Sequence, residues 1–412
     1  MNCSDFIAKC LLVDLETSRD QCVQHIGALF GGNSFERSGR FDIAKALNEL
    51  DAFAAGADFI LGHNLLGHDI PILESLAPDL TLLSKPVVDT LYLSPLAFPE
   101  NPYHRLVKDY KLVRDSINDP VADARLAATV FCDQWKSFAL LGKSEDDVLS
   151  FYRYCFEESR KTSLRSDGLR EVFSALGAFP ATENDAFMTF QSHARDRACE
   201  TAIAMVSMKY LLDPGKRPAL AYCLAWLRVA GQNSILPPWV RHRFHDVAPI
   251  LRELRDVPCN TPSCNWCGTV HNPVQQLKQY FNYPAFRPTP TDDHGGSLQE
   301  TIVRYGMGDK PLLAILPTGG GKSLCYQIPA LARNYRRCVL TIVISPLQAL
   351  MKDQVEGLAK KTGSMSVAAI YGMLTPPERG EVLVRVRLGD IAILYVSPEQ
   401  LRNKSLAAAI SQ

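Results

Sequence analysis

Three sets of residues in this chain are equipped for chemistry: four carboxylates near the N-terminus, a glycine-rich turn ending in Lys-Ser, and a cysteine–histidine group between them. Leu11-Leu12-Val13-Asp14-Leu15-Glu16-Thr17 sets two carboxylates at i and i+2 near the end of a short apolar run, and in a strand that spacing puts both on one face. Asp69, closing Gly62-His63-Asn64-Leu65-Leu66-Gly67-His68-Asp69, and Asp123, at the start of an amphipathic stretch, are candidates to join them. Four convergent carboxylates suit a pair of Mg²⁺ or Mn²⁺ ions, because hard cations take oxygen ligands. Such a pair stabilises the attacking and leaving oxygens of an in-line phosphodiester cleavage. Asp14-Leu15-Glu16 by itself reads as a polar strand end. The order and spacing of all four turn the reading towards a nuclease-type fold.

The second set is Leu313-Ala314-Ile315-Leu316-Pro317-Thr318-Gly319-Gly320-Gly321-Lys322-Ser323-Leu324, the pattern of a strand, a glycine-rich turn and a helix start. Glycines let backbone N–H groups close around phosphate oxygens, and a helix N-terminus adds a favourable dipole. Thr318, Gly319, Gly320 and Gly321 would form the cradle, Lys322 would reach the β/γ-phosphates and Ser323 would hold Mg²⁺. The strict pattern wants glycine six residues before the lysine, where this chain has Leu316. The competing reading is a glycine-rich loop with a chance Lys-Ser.

The third set is Cys259-x₄-Cys264-x₂-Cys267-x₃-His271, four donors in a short Pro- and Gly-containing stretch. Cys-x₂-Cys with a nearby histidine suits tetrahedral Zn²⁺, and four protein ligands leave no open position, so the expected role is structural. Free thiols are the alternative.

The elements that must position these groups follow from periodicity. Residues 1–135 alternate apolar runs with amphipathic stretches, as in an α/β domain, with strands expected at Leu11–Val13, Phe59–Leu61 and Val87–Val88 and a helix over Val121–Trp135. Residues 136–256 read as a helical connector, and 257–273 as the zinc-binding segment. From 274 to 412 α/β alternation returns, with parallel strands expected at Leu313–Leu316, Leu340–Ile344 and Ile391–Val396. Apolar residues make up 47% of the chain and charged residues 21%, as in a globular protein. Lys+Arg and Asp+Glu both total 44, so any phosphate contacts must come from local patches and not from net charge. No apolar run long enough for a membrane span and no signal peptide is seen, and the scattered cysteines read as thiols in a reducing compartment, so a cytoplasmic location is expected.

Leu316 to Leu331 resembles helicase motif I of the RecQ family nearly residue for residue, and Val343-Ile344-Ser345-Pro346-Leu347-Gln348-Ala349-Leu350-Met351-Lys352-Asp353-Gln354-Val355 resembles its motif Ia. Leu394-Tyr395-Val396-Ser397-Pro398-Glu399 is similar to the next motif, and Tyr280-Phe281-Asn282-Tyr283-Pro284-Ala285-Phe286-Arg287-Pro288 to the adenine-recognition motif. The resemblance implies a RecA-like lobe that binds ATP with Mg²⁺. In it Tyr283 and Arg287 flank the base, and Ser345, Pro346 and Gln348 border the DNA path. The family's adenine-reading glutamine stands three residues after the arginine, where this chain has Pro290; Gln299, after an apparent insertion of Thr289 to Gly296, is its nearest counterpart. The family's Asp-Glu-Ala-His motif and second lobe are not found before Gln412, so the lobe is expected to be incomplete, with the C-terminal helicase portion a missing partner and unwinding not expected.

Residues 8–135 resemble the DEDD (DnaQ-like) 3′–5′ exonucleases, an RNase H-like fold, on Asp14, Glu16, Asp69, Asp123 and the segment Val88-Asp89-Thr90-Leu91. Where that family carries a water-activating His or Tyr, this chain has Asn118 and Asp119; His104 and His68 are the candidate substitutes. Together these readings predict an exonuclease–helicase fusion fragment acting on single-stranded or forked DNA, with Mg²⁺ or Mn²⁺, ATP and structural Zn²⁺. Its rivals are a single-strand-binding module that does not cut and an inactive remnant.

Overall fold

In the computed structural model the described residues are all except 19, 21, 102–118, 158–166, 231–235, 260, 309, 363–365 and 412. The chain divides into two compact units, Met1–His193 with Ser207–Ala225, and Ala194–Val206 with Trp226–Gln412. The boundary expected at residue 135 falls inside one continuous helix, Pro120–Ser144. Among the described residues no helix is long and apolar enough to cross a membrane.

The first unit is built on a five-stranded sheet: β1 (Cys10–Thr17), β2 (Val23–Phe30), β3 (Asn33–Ser38), β4 (Phe59–Gly62) and β5 (Val87–Asp89), in the order β3-β2-β1-β4-β5. β1 pairs antiparallel with β2 and parallel with β4, and β4 pairs parallel with β5. The near-continuous apolar run of β1 follows from its central place, since a strand covered on both faces has no solvent side to leave polar. Helix Pro120–Ser144 lies against β1 and β2. Its start is set by Pro120 at the first turn and by Asp119, whose Oδ1 accepts the Ala122 N–H at 3.0 Å. Its buried Phe131 and Trp135 pack on Phe6, with ring centroids 5.5 Å away in both cases.

The second unit holds a three-stranded parallel sheet, β6 (Thr341–Ile344), β7 (Val367–Ile370) and β8 (Ile393–Val396), in the order β6-β8-β7. β8 is buried at every position, as its Ile-Leu-Tyr-Val sequence demands, whereas the edge strand β6 leaves Ile342 and Ile344 exposed. The strand expected at Leu313–Leu316 is not formed. No described strand pairs with it, and Leu313 and Ile315 stand 88% and 82% exposed. An apolar run favours a strand only where a ladder neighbour takes its backbone hydrogen bonds.

Candidate functional site

Asp14 and Glu16 lie half-buried on β1, and Asp123 comes from the first turn of helix Pro120–Ser144. A carboxylate oxygen from each of the three lies within 4.8 Å of the others. Gly27 makes this approach possible. It pairs with Asp14 across the sheet, and a Cβ on it would sit 2.5 Å from both the Pro120 carbonyl carbon and the Val121 nitrogen. Only a residue without a side chain lets the helix start this close to β2.

The fourth expected carboxylate, Asp69, heads helix Asp69–Leu76 and is buried; its Oδ1 accepts the Leu15 N–H at 2.8 Å. It is thus bonded to the β1 backbone between Asp14 and Glu16, outside the three-oxygen group. Asp89, in the Asp-Thr segment, is fully buried and accepts N–H bonds from Asn64 (2.8 Å), Leu66 (2.9 Å) and Leu91 (2.9 Å). Its burial pushes the carboxyl up to about 7 against the pull of those donors. It organises the loop that delivers Asp69, a role that residue type and spacing did not disclose.

Burial, and then the charges of Asp69, Asp123 and Glu16, push the Asp14 carboxyl up to about 8, with His68 opposing. A donor set crowded in this way fits a divalent cation, which supplies the positive charge that burial and like-charged neighbours withhold. His68 stands beside the group, Nδ1 3.5 Å from Asp69 Oδ2 and Nε2 3.3 Å from Thr17 Oγ1. Its pKa is raised, first by the hydrogen bond to Asp69 and further by the charges of Asp14 and Glu16. Asp119 is engaged as the helix cap, while Asn118 and His104 lie outside the described residues.

In the second unit Gly319 and Gly321 adopt φ of 78° and 76°, and Gly321 caps helix Lys322–Arg337. The turn is closed by the Gly320 N–H donating to the Pro317 carbonyl at 3.0 Å. Lys322 is exposed and Ser323 half-buried at the helix start. Gln299 is 1% exposed and spans two loops: Oε1 accepts the Arg287 N–H at 3.2 Å, and Nε2 donates to the Gly321 carbonyl at 3.0 Å. The Arg287 guanidinium donates to the Gly319 carbonyl. Tyr283 is exposed and stacks on Phe281 at 6.3 Å. Arg287, Gln299 and the glycine turn are therefore joined by hydrogen bonds into one constellation.

Further along, the Ser345 N–H donates to the Val396 carbonyl at 3.1 Å, joining the motif after β6 to that after β8. Pro346 is exposed, and Gln348 begins helix Gln348–Thr362. Sequence reading missed a network linking these segments: Tyr326 Oη lies 3.1 Å from Tyr395 Oη, and Gln327 Nε2 donates to Gln354 Oε1 at 3.0 Å.

The structure groups Cys259, Cys264 and Cys267 with Cys199, not with His271. The His271 Nδ1 instead lies 3.0 Å from the Arg336 guanidinium. Cys199 stands far upstream of the Cys-rich stretch, and no local spacing pointed to it.

Residues 297–410 match the family described as DEAD/DEAH box helicase. The chain is 41% identical over 168 residues to ATP-dependent DNA helicase Q4 of Mus musculus, covering 39% of this chain and 13% of that protein. It is 39% identical over 109 residues to ATP-dependent DNA helicase RecQ of Synechocystis, covering 26% of this chain and 22% of the relative. With RecQ of Haemophilus influenzae it shares 36% identity over 135 residues, 33% of this chain and 19% of the other. The chain thus spans less than a quarter of the length of each of these relatives. On the family match and these likenesses, the chain carries within its mixed α/β fold a DEAD/DEAH box helicase region, residues 297–410, similar to that of RecQ-family ATP-dependent DNA helicases.

Proposed function

We propose that this chain processes DNA, joining a metal-dependent 3′–5′ exonuclease domain of DEDD type to an ATP-binding, RecQ-like helicase region. The observation that carries the exonuclease reading is the convergence of Asp14, Glu16 and Asp123 within 4.8 Å, drawn from a central strand and a separate helix. The sheet order β3-β2-β1-β4-β5, with three antiparallel strands continued by two parallel ones, supports an RNase H-like fold.

Asp14, Glu16 and Asp123 would hold Mg²⁺ or Mn²⁺, which when bound stabilises the charge that builds on the phosphate being cleaved. Asp69 holds His68 through Oδ2 and the β1 backbone through Oδ1, so it fixes the imidazole relative to the carboxylates. His68 is the group that would take the proton of the attacking water, in the role that Asn118 and Asp119 are unsuited to fill. In the helicase region Lys322 and Ser323 would bind phosphates and Mg²⁺, and Tyr283 and Arg287 would flank the adenine. Gln299 uses one N–H and one lone pair within the protein, leaving one of each for the base edge.

The deciding measurement is cleavage of a 5′-labelled single strand by the purified chain in Mn²⁺. Laddering from the 3′ end, abolished by Asp14→Ala and lowered about 10²-fold or more by His68→Ala, is the expected result. Strand binding without cleavage would replace the nuclease with a single-strand-binding module, and cleavage that survives Asp14→Ala would exclude this site.

A further inference from the structure

The four cysteines that converge in the second unit come from two separate places in the sequence. Cys199 precedes helix Glu200–Leu211, and its N–H donates to the Leu254 carbonyl at 2.9 Å. Cys264 and Cys267 flank the first turn of helix Asn265–Val270, and Cys259 lies on the approach to it. One sulfur from each lies within 4.8 Å of every other, and none of the four is in a disulfide. A tetrahedral ion with Zn–S bonds of about 2.3 Å holds its sulfurs about 3.8 Å apart, so a small contraction completes the shell. Two backbone N–H groups already point at sulfurs, Cys259 at Cys267 Sγ (3.5 Å) and Thr261 at Cys259 Sγ (3.4 Å). Such donors stabilise thiolates and orient them as ligands.

We propose that Cys199, Cys259, Cys264 and Cys267 bind one zinc ion as a closed four-thiolate site. The site fastens the start of helix Glu200–Leu211 to the segment that anchors the far end of the phosphate-loop helix. Four thiolates leave no open position, so the ion is structural. Its reach follows from Trp266, which lies between two of the ligands. Trp266 covers the Arg255 guanidinium at 4.5 Å and stacks on Tyr335 at 6.0 Å. Arg255 in turn donates to the Tyr335 carbonyl at 3.0 Å. The next residue, Arg336, pairs with the buried Asp256 at 2.9 Å, and Arg337 pairs with the same carboxylate. Tyr335, Arg336 and Arg337 are the last turn of the helix that begins at Lys322. The site therefore braces that helix at the end opposite the glycine turn.

The test uses the full chain, reconstituted with Co²⁺ in place of zinc. Intense thiolate-to-cobalt charge-transfer bands with tetrahedral d–d absorption are expected at one equivalent per chain, lost in Cys199→Ala and retained in His271→Gln. Retention in Cys199→Ala with loss in His271→Gln would overturn the ligand set, and absence of the bands from the wild-type chain would overturn the site. If Cys199→Ala does not fold, timed alkylation of the wild-type chain decides. Cys199 protected by zinc and released by chelator supports the proposal; equal reaction with and without zinc, or disulfides among the four, overturns it. Chelation is also expected to speed amide exchange in residues 330–337, a readout independent of enzymatic activity.

Discussion

At Asp14 burial and neighbouring carboxylates act in one direction, and the consequence is a pH-dependent stability. Its carboxyl is pushed up to about 8 in the folded chain from an ordinary value of 3.8. The folded state therefore holds this proton more tightly than the unfolded one, and the stability involved is full below about 4 and lost as pH rises towards 8. Asparagine does not titrate, so Asp14→Asn is expected to raise the thermal midpoint of the metal-free chain at pH 8, by roughly 2–4 °C per kcal/mol relieved, with the gain vanishing near pH 4. Adding Mn²⁺ should stabilise the wild type more than the variant, and scanning calorimetry with and without the ion checks both. Gln299 supports a second prediction. Removing its amide takes the side-chain acceptor from the Arg287 N–H and one donor from the Gly321 carbonyl. The two loops lose their bridge, so Gln299→Ala should weaken ATP binding by about tenfold or more, as about 1.4 kcal/mol corresponds to a factor of ten. Titration of a fluorescent ATP analogue would show it, and unchanged affinity would detach Gln299 from the nucleotide site. This residue was legible through the motif around it despite its shift in spacing. Cys199 was not, because its partnership with the other cysteines exists only in three dimensions.

The elements divide into those with a local signal and those formed by their neighbours. β1, β4, β5 and helix Pro120–Ser144 carry dense apolar runs or a clear helical period and could be read from residue order. β2, which carries Gln24, His25 and Gly27, and the largely polar β3 owe their place to pairing, β2 with β1 and β3 with β2, which no single segment announces. Leu313–Leu316 is the opposite case, with strand-like residues but no described ladder partner. Gly27 shows why helix position is harder to foresee than helix existence, since the contact that admits Pro120 and Val121 lies between elements remote in sequence. Gly27→Ala is expected to push the helix start off the sheet at a cost of about 1–3 kcal/mol and to carry Asp123 away from Asp14. Mn²⁺ binding measured calorimetrically should weaken by at least tenfold while far-ultraviolet circular dichroism is kept. Wild-type affinity in the variant would show that the helix accommodates the methyl group.

Across the whole molecule each candidate site is assembled within one compact unit, Asp14, Glu16 and Asp123 in the first and Lys322, Arg287 and Gln299 in the second. Substitutions that share no partner act independently. Lys322→Ala should therefore abolish nucleotide binding and leave single-strand cleavage within about twofold, while Asp14→Ala does the reverse; parallel assays on the two variants measure this. One property of the molecule in solution follows from β6. Its outer edge meets no described strand, and Ile342 and Ile344 are exposed beside it. Unpaired backbone groups flanked by apolar side chains template further strands, and a chain with formal net charge of zero has little electrostatic repulsion to keep copies apart. Light scattering of the purified chain should rise steeply with protein concentration near neutral pH, and Ile344→Lys should flatten that rise. The concentration at which this protein stays dispersed is thus expected to depend on the rim of one short strand.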